Sequence, residues 1–214
     1  NDRFLRLWYE VDSDNISVQN KITGRWKPCN KGGSFRRWYG NRDYVIDWKD
    51  DGQYLKKFKG SSFRNADFQL LEGGTYSNLS SGAFSARYSE AGTAFESKGT
   101  TFFSDRLSDA LAYMNTSLFN YLLKFVCPTL DYKFGTIQKL PYLLGNEESE
   151  QICQDNITLS KSDWDSFETS WDFDEHPLIA LRNGAGYGTD FRKWSYRVED
   201  SYRVWEMVCN DRFN

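Results

Sequence analysis

The sequence predicts a mixed α+β fold in which a β-rich domain carries a long amphipathic helix and is followed by a mainly helical C-terminal segment. Three observations predict this. As far as residue 103, apolar and polar residues alternate in short runs separated by glycines. Apolar residues then recur every three or four positions between Leu107 and Phe125. The same spacing returns between Phe191 and Val208.

The strands are predicted from alternation and turn residues. Tyr44, Ile46 and Trp48 share one face of a strand, residues 50–52 form a turn, and residues 53–58 form the return strand. Further strands are predicted at 84–88, 93–97 and 101–103. The glycine turns predicted to separate the strands lie at Gly73-Gly74, Gly82, Gly92 and Gly99.

The long helix is predicted to begin after Ser104-Asp105, a pair that favours a helix N-terminus, and to end at Cys127-Pro128. Residues 137–141 then read as a strand at a sheet edge, where Pro141 is tolerated.

Three units follow: an α/β domain at 1–144, an acidic connection at 145–162 and a helical segment at 163–214. The chain starts without Met or a signal peptide and ends inside a helical pattern. We therefore expect an excerpt of a longer protein.

Composition excludes several classes of protein. Aromatic residues make up 17% of the 214 positions, an apolar content too high for a disordered chain. The sequence has no run of 18 apolar residues, so it does not predict a membrane span. The four cysteines form no CxxC pair, which disfavours a zinc site and favours reduced thiols in the cytoplasm. The single histidine, His176, is expected to be a structural or helix-capping residue.

Charge is segregated along the chain. Residues 21–64 contain 12 Lys or Arg and four Asp, a local balance of +8, whereas residues 145–175 contain ten acids and one Lys, a balance of −9. The basic segment is interleaved with aromatic residues, a composition typical of nucleic-acid surfaces, where cations neutralise phosphates and rings stack on bases. A solvated strand face with core aromatics is the alternative.

Two motifs carry this interpretation. In KGGSFRRWYGN (31–41), the paired glycines expose backbone N–H groups, and the two arginines suit bidentate contacts with phosphate or guanine. In SSGAFSARY (80–88), small hydroxyl residues flank an Arg-Tyr pair, and Lys98 follows nearby. Ordinary glycine turns with surface arginines remain the alternative for both.

Other motifs are weaker. The glycine run at 183–188 lacks the following strand that a dinucleotide or S-adenosylmethionine loop requires, so we interpret it as a linker. The chain has no Asn/Asp-Pro-Pro-Tyr/Phe tetrapeptide, no P-loop and no dense carboxylate cluster. Asp163, Asp165, Asp172, Asp174 and Glu175 are expected on a solvated face. The sequence thus predicts neither catalytic nor metal-ligating residues.

Four strings together resemble the adenine-specific DNA methyltransferases of BREX phage-defence systems. They are KGGSFRRWYGNRDYVIDWKDDG (31–52), SSGAFSARY (80–88), PTLDYKFGTIQKLPYL (128–143) and SKSDWDSFETSWDFDEHPL (160–178). Related enzymes include large restriction-modification proteins that fuse methyltransferase and specificity modules. The resemblance implies that this segment is the target-recognition region, with S-adenosylmethionine bound by an N-terminal methyltransferase domain. It also implies double-stranded DNA and further phage-defence proteins as partners.

The resemblance makes residues 31–42 and 80–88 DNA-facing, in agreement with the charge pattern. Phosphate contacts are expected of Lys31, Arg36, Arg37 and Arg42, and base reading of Ser81, Ser85, Arg87 and Tyr88. The full set of predicted DNA-binding residues is Lys31, Gly32, Gly33, Ser34, Arg36, Arg37, Trp38, Tyr39, Arg42, Ser80, Ser81, Ser85, Arg87, Tyr88 and Lys98. The alternative hypothesis is a protein-interaction module that docks onto a methyltransferase or another defence component without contacting DNA.

Overall fold

Two small sheets form the β part of the chain. The computed structural model describes residues 3–17, 24–61, 63, 65–80, 82–183, 199–200, 203–204 and 207. The strands in these ranges are β1 (Leu5–Leu7), β2 (Trp26–Asn30), β3 (Tyr44–Asp47), β4 (Gly73–Ser77), β5 (Ala86–Ser89), β6 (Ala94–Phe95) and β7 (Gly99–Phe102). The first sheet has the order β1-β3-β2-β6 and the second has the order β5-β4-β7.

Most strand pairs are antiparallel. In the first sheet β3 pairs with β1 and β2, with Ile46 opposite Leu5, while β2 and β6 are parallel. In the second sheet the central strand β4 pairs antiparallel with β5 and β7, with Thr75 opposite Arg87 and Thr101.

The helices in the described ranges are α1 (Lys49–Lys57), α2 (Leu107–Met114), α3 (Ser117–Val126), α4 (Phe134–Ile137), α5 (Glu147–Asp165) and α6 (Pro177–Asn183). The predicted mixed α+β class is confirmed. None of these helices combines the length and the apolar composition that a membrane span requires.

Two predicted strands are wrong. Residues 53–58 lie in and beside α1 because β3 is already paired on both sides and offers no edge to a return strand. The turn at 50–52 does occur, with positive φ at Asp50, Asp51 and Gly52. Residues 137–141 continue from α4 in turns, and the backbone N–H of Leu140 donates to the carbonyl of Ile137 at 3.0 Å.

Gly73 and Gly74, predicted to form a turn, begin the central strand β4 instead. A Cβ on Gly73 would lie 2.6 Å from the Phe102 carbonyl oxygen, and one on Gly74 would overlap the Phe102 ring. These glycines therefore mark a close approach between neighbouring strands.

The predicted long helix is two helices. Asn115 ends α2, and its buried side chain bonds the backbone of Ala86, accepting from N–H at 2.9 Å and donating to C=O at 3.0 Å. Thr116 then caps α3, because its side-chain oxygen accepts from the Phe119 N–H at 3.0 Å. After this break Phe119 and Leu123 are buried, whereas Leu118 and Phe125 are exposed.

The acidic stretch expected to be a connection largely forms helix α5. Asn146 and Ser149 make a capping box, with both N–H to side-chain bonds at 2.9 Å. Three glutamates occupy the first turn, where the helix dipole favours negative charge. Cys153 and Ile157 pack into the core shared by the second sheet and α2. The division of the chain into domains remains a prediction.

The C-terminal part is described only in places. His176 acts as a cap, as expected: its Nδ1 accepts from the Leu178 N–H at 3.2 Å, beside the start of α6. The glycine run at 184–188 and most of the helical pattern at 191–208 lie outside the described residues.

Candidate nucleic-acid interface

The two predicted contact segments meet in space. Between β2 and β3 the chain forms a loop, residues 31–43, that lies alongside β5. The Trp38 N–H donates to the carbonyl of Ala86 at 3.0 Å, and the Tyr88 N–H donates to the carbonyl of Trp38 at 2.7 Å. The loop therefore joins the edge of the second sheet through backbone hydrogen bonds.

Polar side chains hydrogen-bond the backbone of this loop at Gly33 and Ser34. Ser77 Oγ on β4 donates to the carbonyl of Gly33 at 3.0 Å, and Asn41 Nδ2 donates to the carbonyl of Ser34 at 2.7 Å. Gly33 has a φ of 134°, and a Cβ there would lie 2.8 Å from the Asn41 side chain, so this position requires glycine.

Five of the predicted DNA-binding residues are buried. A side chain inside the core does not reach a ligand outside, so the direct contact predicted for these five does not fit the structure. Their exposed fractions are 8% for Trp38, 2% for Tyr39, 6% for Arg42, 7% for Ser85 and 1% for Arg87.

A buried polar network accounts for Tyr39 and Arg42. Arg42 Nη2 lies 3.0 Å from the Glu90 carboxylate, and the guanidinium packs 5.1 Å from the centre of the Trp171 ring. The Tyr39 hydroxyl lies 3.2 Å from the same carboxylate and accepts from Lys161 Nζ at 3.1 Å. Burial raises the pKa of Tyr39 to about 12, so the phenol stays protonated at neutral pH.

Arg36 is half-exposed but faces α5. Its guanidinium lies 4.9 Å from the centre of the Trp164 ring and 3.6 Å from the Asp163 carboxylate. Nearby, Lys161 pairs with Asp165 and Asp172 at 3.2 and 3.3 Å. Asp163, Asp165 and Asp172 are thus partly exposed carboxylates that also pair with basic residues.

The other predicted residues lie at or near the surface, except Ser81, which is outside the described residues. Lys31 Nζ lies 4.1 Å from the centre of the Tyr44 ring, and the Tyr88 hydroxyl donates to the Glu72 carboxylate. The remaining predicted residues, all exposed or half-exposed, are Gly32, Gly33, Ser34, Arg37, Ser80 and Lys98.

A narrow cleft lies between the loop and residues 80–85. We call it the serine cleft because four serines line it, together with the backbone of the loop. Its lining includes Gly33, Ser34, Ser77, Ser80, Ala83 and Ser85. Phe35, 50% exposed, also lines it, with the Arg37 guanidinium 5.7 Å from its ring centre.

An open groove shares Ala83 with the serine cleft and continues onto α3. This α3 groove is lined by Arg37, Ala83, Ser117, Leu118, Asn120, Tyr121 and Lys124. The lining has two cations, an aromatic ring that is 59% exposed and no carboxylate. Such a surface suits an anionic ligand that also presents flat rings.

The α3 residues of this groove were missed by the sequence reasoning. A continuous helix placed Leu118 and Phe125 on the buried side, which hid the surface role of Tyr121 and Lys124. If Thr116 is taken as a helix N-cap, the buried face of α3 falls on Phe119 and Leu123. Tyr121 and Lys124 are then predicted on the exposed face.

Among the described residues, no group of three or more His, Cys, Asp or Glu is placed to hold a metal ion. Cys29, Cys127 and Cys153 are buried free thiols, and burial raises the pKa of Cys153 to about 12.

Two curated proteins match the chain. An adenine-specific methyltransferase BrxX of Escherichia coli is 38% identical over 191 residues, covering 87% of this chain and 16% of its own length. An adenine-specific methyltransferase PglX of Lacticaseibacillus casei is 36% identical over the whole chain and 19% of its own length. No protein-family model matches. The chain thus spans less than a fifth of these relatives, and it is homologous to one segment of the adenine-specific methyltransferases of BREX systems, as the sequence motifs indicated.

Proposed function

We propose that this chain is the target-recognition part of a site-specific adenine-N6 DNA methyltransferase in phage defence, and that it binds double-stranded DNA. The α3 groove carries the proposal. Arg37 and Lys124 would neutralise phosphates, while Tyr121 and the neighbouring Phe35 would offer rings to bases or sugars. The similarity to adenine-specific methyltransferases supports it, since such an enzyme must select and flip an adenine.

The methyl donor would bind elsewhere in the parent protein. S-adenosylmethionine is held by a glycine loop between a parallel strand and a helix, followed by an acidic residue on the next strand. The described sheets are antiparallel except for the short β2–β6 pair and do not form this unit. Within the described ranges the residues therefore do not fit the cofactor, and we assign it to a methyltransferase domain N-terminal to this segment.

Fluorescence anisotropy with a labelled duplex tests the proposal. The wild-type chain should bind at about 50 mM salt and lose affinity steeply by about 200 mM, because phosphate contacts release counterions. Arg37→Ala and Lys124→Ala should each weaken binding and make the log–log salt slope shallower by about 1. Lys139→Ala removes the same charge at an exposed position outside the groove and is the matched control. Equal behaviour of all three variants would disprove the groove assignment.

A second candidate function is docking onto another protein. The apolar stripe of Leu118, Tyr121 and Phe125 on α3, 46% to 69% exposed, favours it. The partner would be the methyltransferase domain or another defence protein. A Phe125→Ser variant separates the two functions, because Phe125 is not in the groove lining and its loss should weaken protein docking while leaving duplex affinity unchanged.

A further inference from the structure

One face of α3 is formed by side chains that line the α3 groove. Because they are spaced at i, i+3, i+4 and i+7, they lie on the same side of the helix. They are Ser117, Asn120, Tyr121 and Lys124. On the buried side, the centre of the Phe119 ring lies 5.2 Å from that of Phe84 and 5.3 Å from that of Tyr113. These contacts hold α3 against the core with its groove face outward.

Asn120 uses only part of the hydrogen-bonding capacity of its side-chain amide. Its Nδ2 donates to the carbonyl of Thr116, one turn earlier, at 3.2 Å, which fixes the orientation of the amide. An amide has two N–H donors and an acceptor oxygen. In the part of the chain that the structure describes, neither the second N–H nor Oδ1 has a partner. A free N–H beside a free C=O is the pair that binds N7 and N6 of adenine in the major groove of DNA.

The two cations of the groove are not neutralised by the protein. Among the described residues neither Arg37 nor Lys124 forms an ion pair, whereas the nearby Arg42 pairs with Glu90 at 3.0 Å. Helix α3 contains no Asp or Glu, although the chain has 30 of them. The positive charge of this face is therefore complementary to the phosphates that flank a DNA groove.

The dimensions of this face suit the major groove. The major groove of B-DNA is roughly 12 Å wide and admits an α-helix, whose diameter with side chains is about 10–12 Å. From Ser117 to Lys124 the helix rises roughly 10 Å, at about 1.5 Å per residue, which matches about three base pairs. The α3 groove has a volume of about 620 Å³, so it has room for base edges beside Asn120.

We propose that α3 is a recognition helix whose groove face enters the major groove of DNA, where Asn120 binds N6 and N7 of one adenine while Arg37 and Lys124 contact the flanking phosphates. This inference rests on the proposed DNA-binding function and names the residue that selects a base. The adenine bound by Asn120 remains paired in the duplex, so it is a different base from the one that a methyltransferase flips. Base recognition is thus assigned to a helix outside the set of residues that the sequence predicted.

Selection from a library of duplexes with a randomised central segment tests the proposal. The wild-type chain should enrich a sequence that contains an adenine, and Asn120→Ala should lose about tenfold of the preference at that position only. Asn120→Asp, which keeps the size of the side chain, should change the preferred base there to cytosine, because a carboxylate accepts from cytosine N4. Gln151→Ala is the matched control, since Gln151 is an exposed amide on α5 that also makes a bond within its helix, to Asp155 at 3.0 Å.

A duplex with 7-deazaadenine in place of the selected adenine tests which groove is bound. The analogue lacks the N7 acceptor in the major groove and leaves base pairing and the minor-groove edge unchanged. It should weaken binding of the wild type about fivefold, the loss of one hydrogen bond. It should weaken binding of Asn120→Ala by less than about twofold, because both changes remove the same interaction. Equal losses in the two proteins would overturn the proposal.

These experiments separate the proposal from the proposed function. Absent duplex binding by the wild type would refute the proposed function and this inference with it, in favour of docking of α3 onto a protein. Duplex binding without an enriched sequence would leave DNA binding intact and overturn only the recognition-helix assignment. An enriched sequence that both Asn120 variants leave unchanged would have the same consequence.

Discussion

The guanidinium of Arg36 stacks on the indole of Trp164, with 4.9 Å between the guanidinium carbon and the ring centre. Gly40 makes this approach possible, because a Cβ there would lie 2.8 Å from Arg36 Cδ and 3.0 Å from Trp164 Cε3. The contact ties the loop at 31–43 to the C-terminal end of α5. Of the two adjacent arginines, Arg36 thus supports the fold and Arg37 faces the α3 groove.

Arg36→Ala should therefore lower the free energy of unfolding by about 1 kcal/mol, the range of a partly exposed cation–π contact. Arg37→Ala should change it by less than about 0.5 kcal/mol, as expected for a surface residue. Urea denaturation of both variants measures the difference. A double-mutant cycle with Trp164→Leu should give a coupling energy of about 0.5–1 kcal/mol, and a coupling near zero would contradict the contact.

Glu90 should be the most sensitive carboxylate at the loop. Glu90→Gln leaves Arg42 buried without a counter-charge, which should cost about 3–5 kcal/mol of unfolding free energy. Glu150→Gln removes the half-exposed partner of Arg106, 2.7 Å away, and should cost no more than about 1 kcal/mol. Thermal unfolding of the Glu90→Gln and Glu150→Gln variants measures the two losses of stability. Equal losses would mean that the Arg42–Glu90 pair is solvated in solution.

Sequence reasoning succeeded where local pattern decides structure. The strand at Tyr44–Asp47 and the junction between a β-rich part and helices follow from alternation and spacing. It failed where a tertiary contact decides. The return strand after Gly52 was wrong because only the sheet order shows that β3 has no free edge.

The candidate site shows the same division. Composition located the basic loop and the segment at 80–88, and these do meet. Composition did not distinguish exposed arginines from arginines that stabilise the fold, because Arg36, Arg37 and Arg42 look equivalent in sequence. Only the structure shows that Arg36 packs on Trp164 and that Arg42 pairs with Glu90.

Asp47 should make stability depend on pH. Its carboxylate accepts two bonds from Arg25, at 3.0 and 2.6 Å, and this interaction lowers its pKa below the ordinary value of 3.8. A carboxyl whose pKa is lower in the folded state contributes stability above its unfolded pKa and loses it as pH falls through the folded value.

Asp47→Asn should thus cost about 0.5–1 kcal/mol at pH 7, a modest amount because the Arg25 side chain is 51% exposed. The difference from wild type should shrink as pH falls below about 4. Denaturant titrations from neutral to acidic pH measure it. A difference that stays constant down to pH of about 2 would show that packing rather than charge is responsible.

Asn115 should control both stability and the α3 groove. Its side chain satisfies the N–H and C=O of Ala86 at the point where the predicted single helix breaks. Asn115→Leu extends the apolar pattern across the break but leaves the buried Ala86 N–H without a partner, at a cost of about 2 kcal/mol. Gln138→Leu, at an exposed position outside the groove, should cost less than about 0.5 kcal/mol and serves as the control.

The break also sets which side of α3 faces the groove. If Asn115→Leu joins the two helices, Tyr121 and Lys124 must rotate away from Arg37, and duplex affinity should fall together with stability. Measuring both quantities at a temperature where the variant remains folded separates the effects. A variant that is destabilised but binds duplex like the wild type would show that the groove does not depend on this break, and would count against α3 as part of the DNA interface.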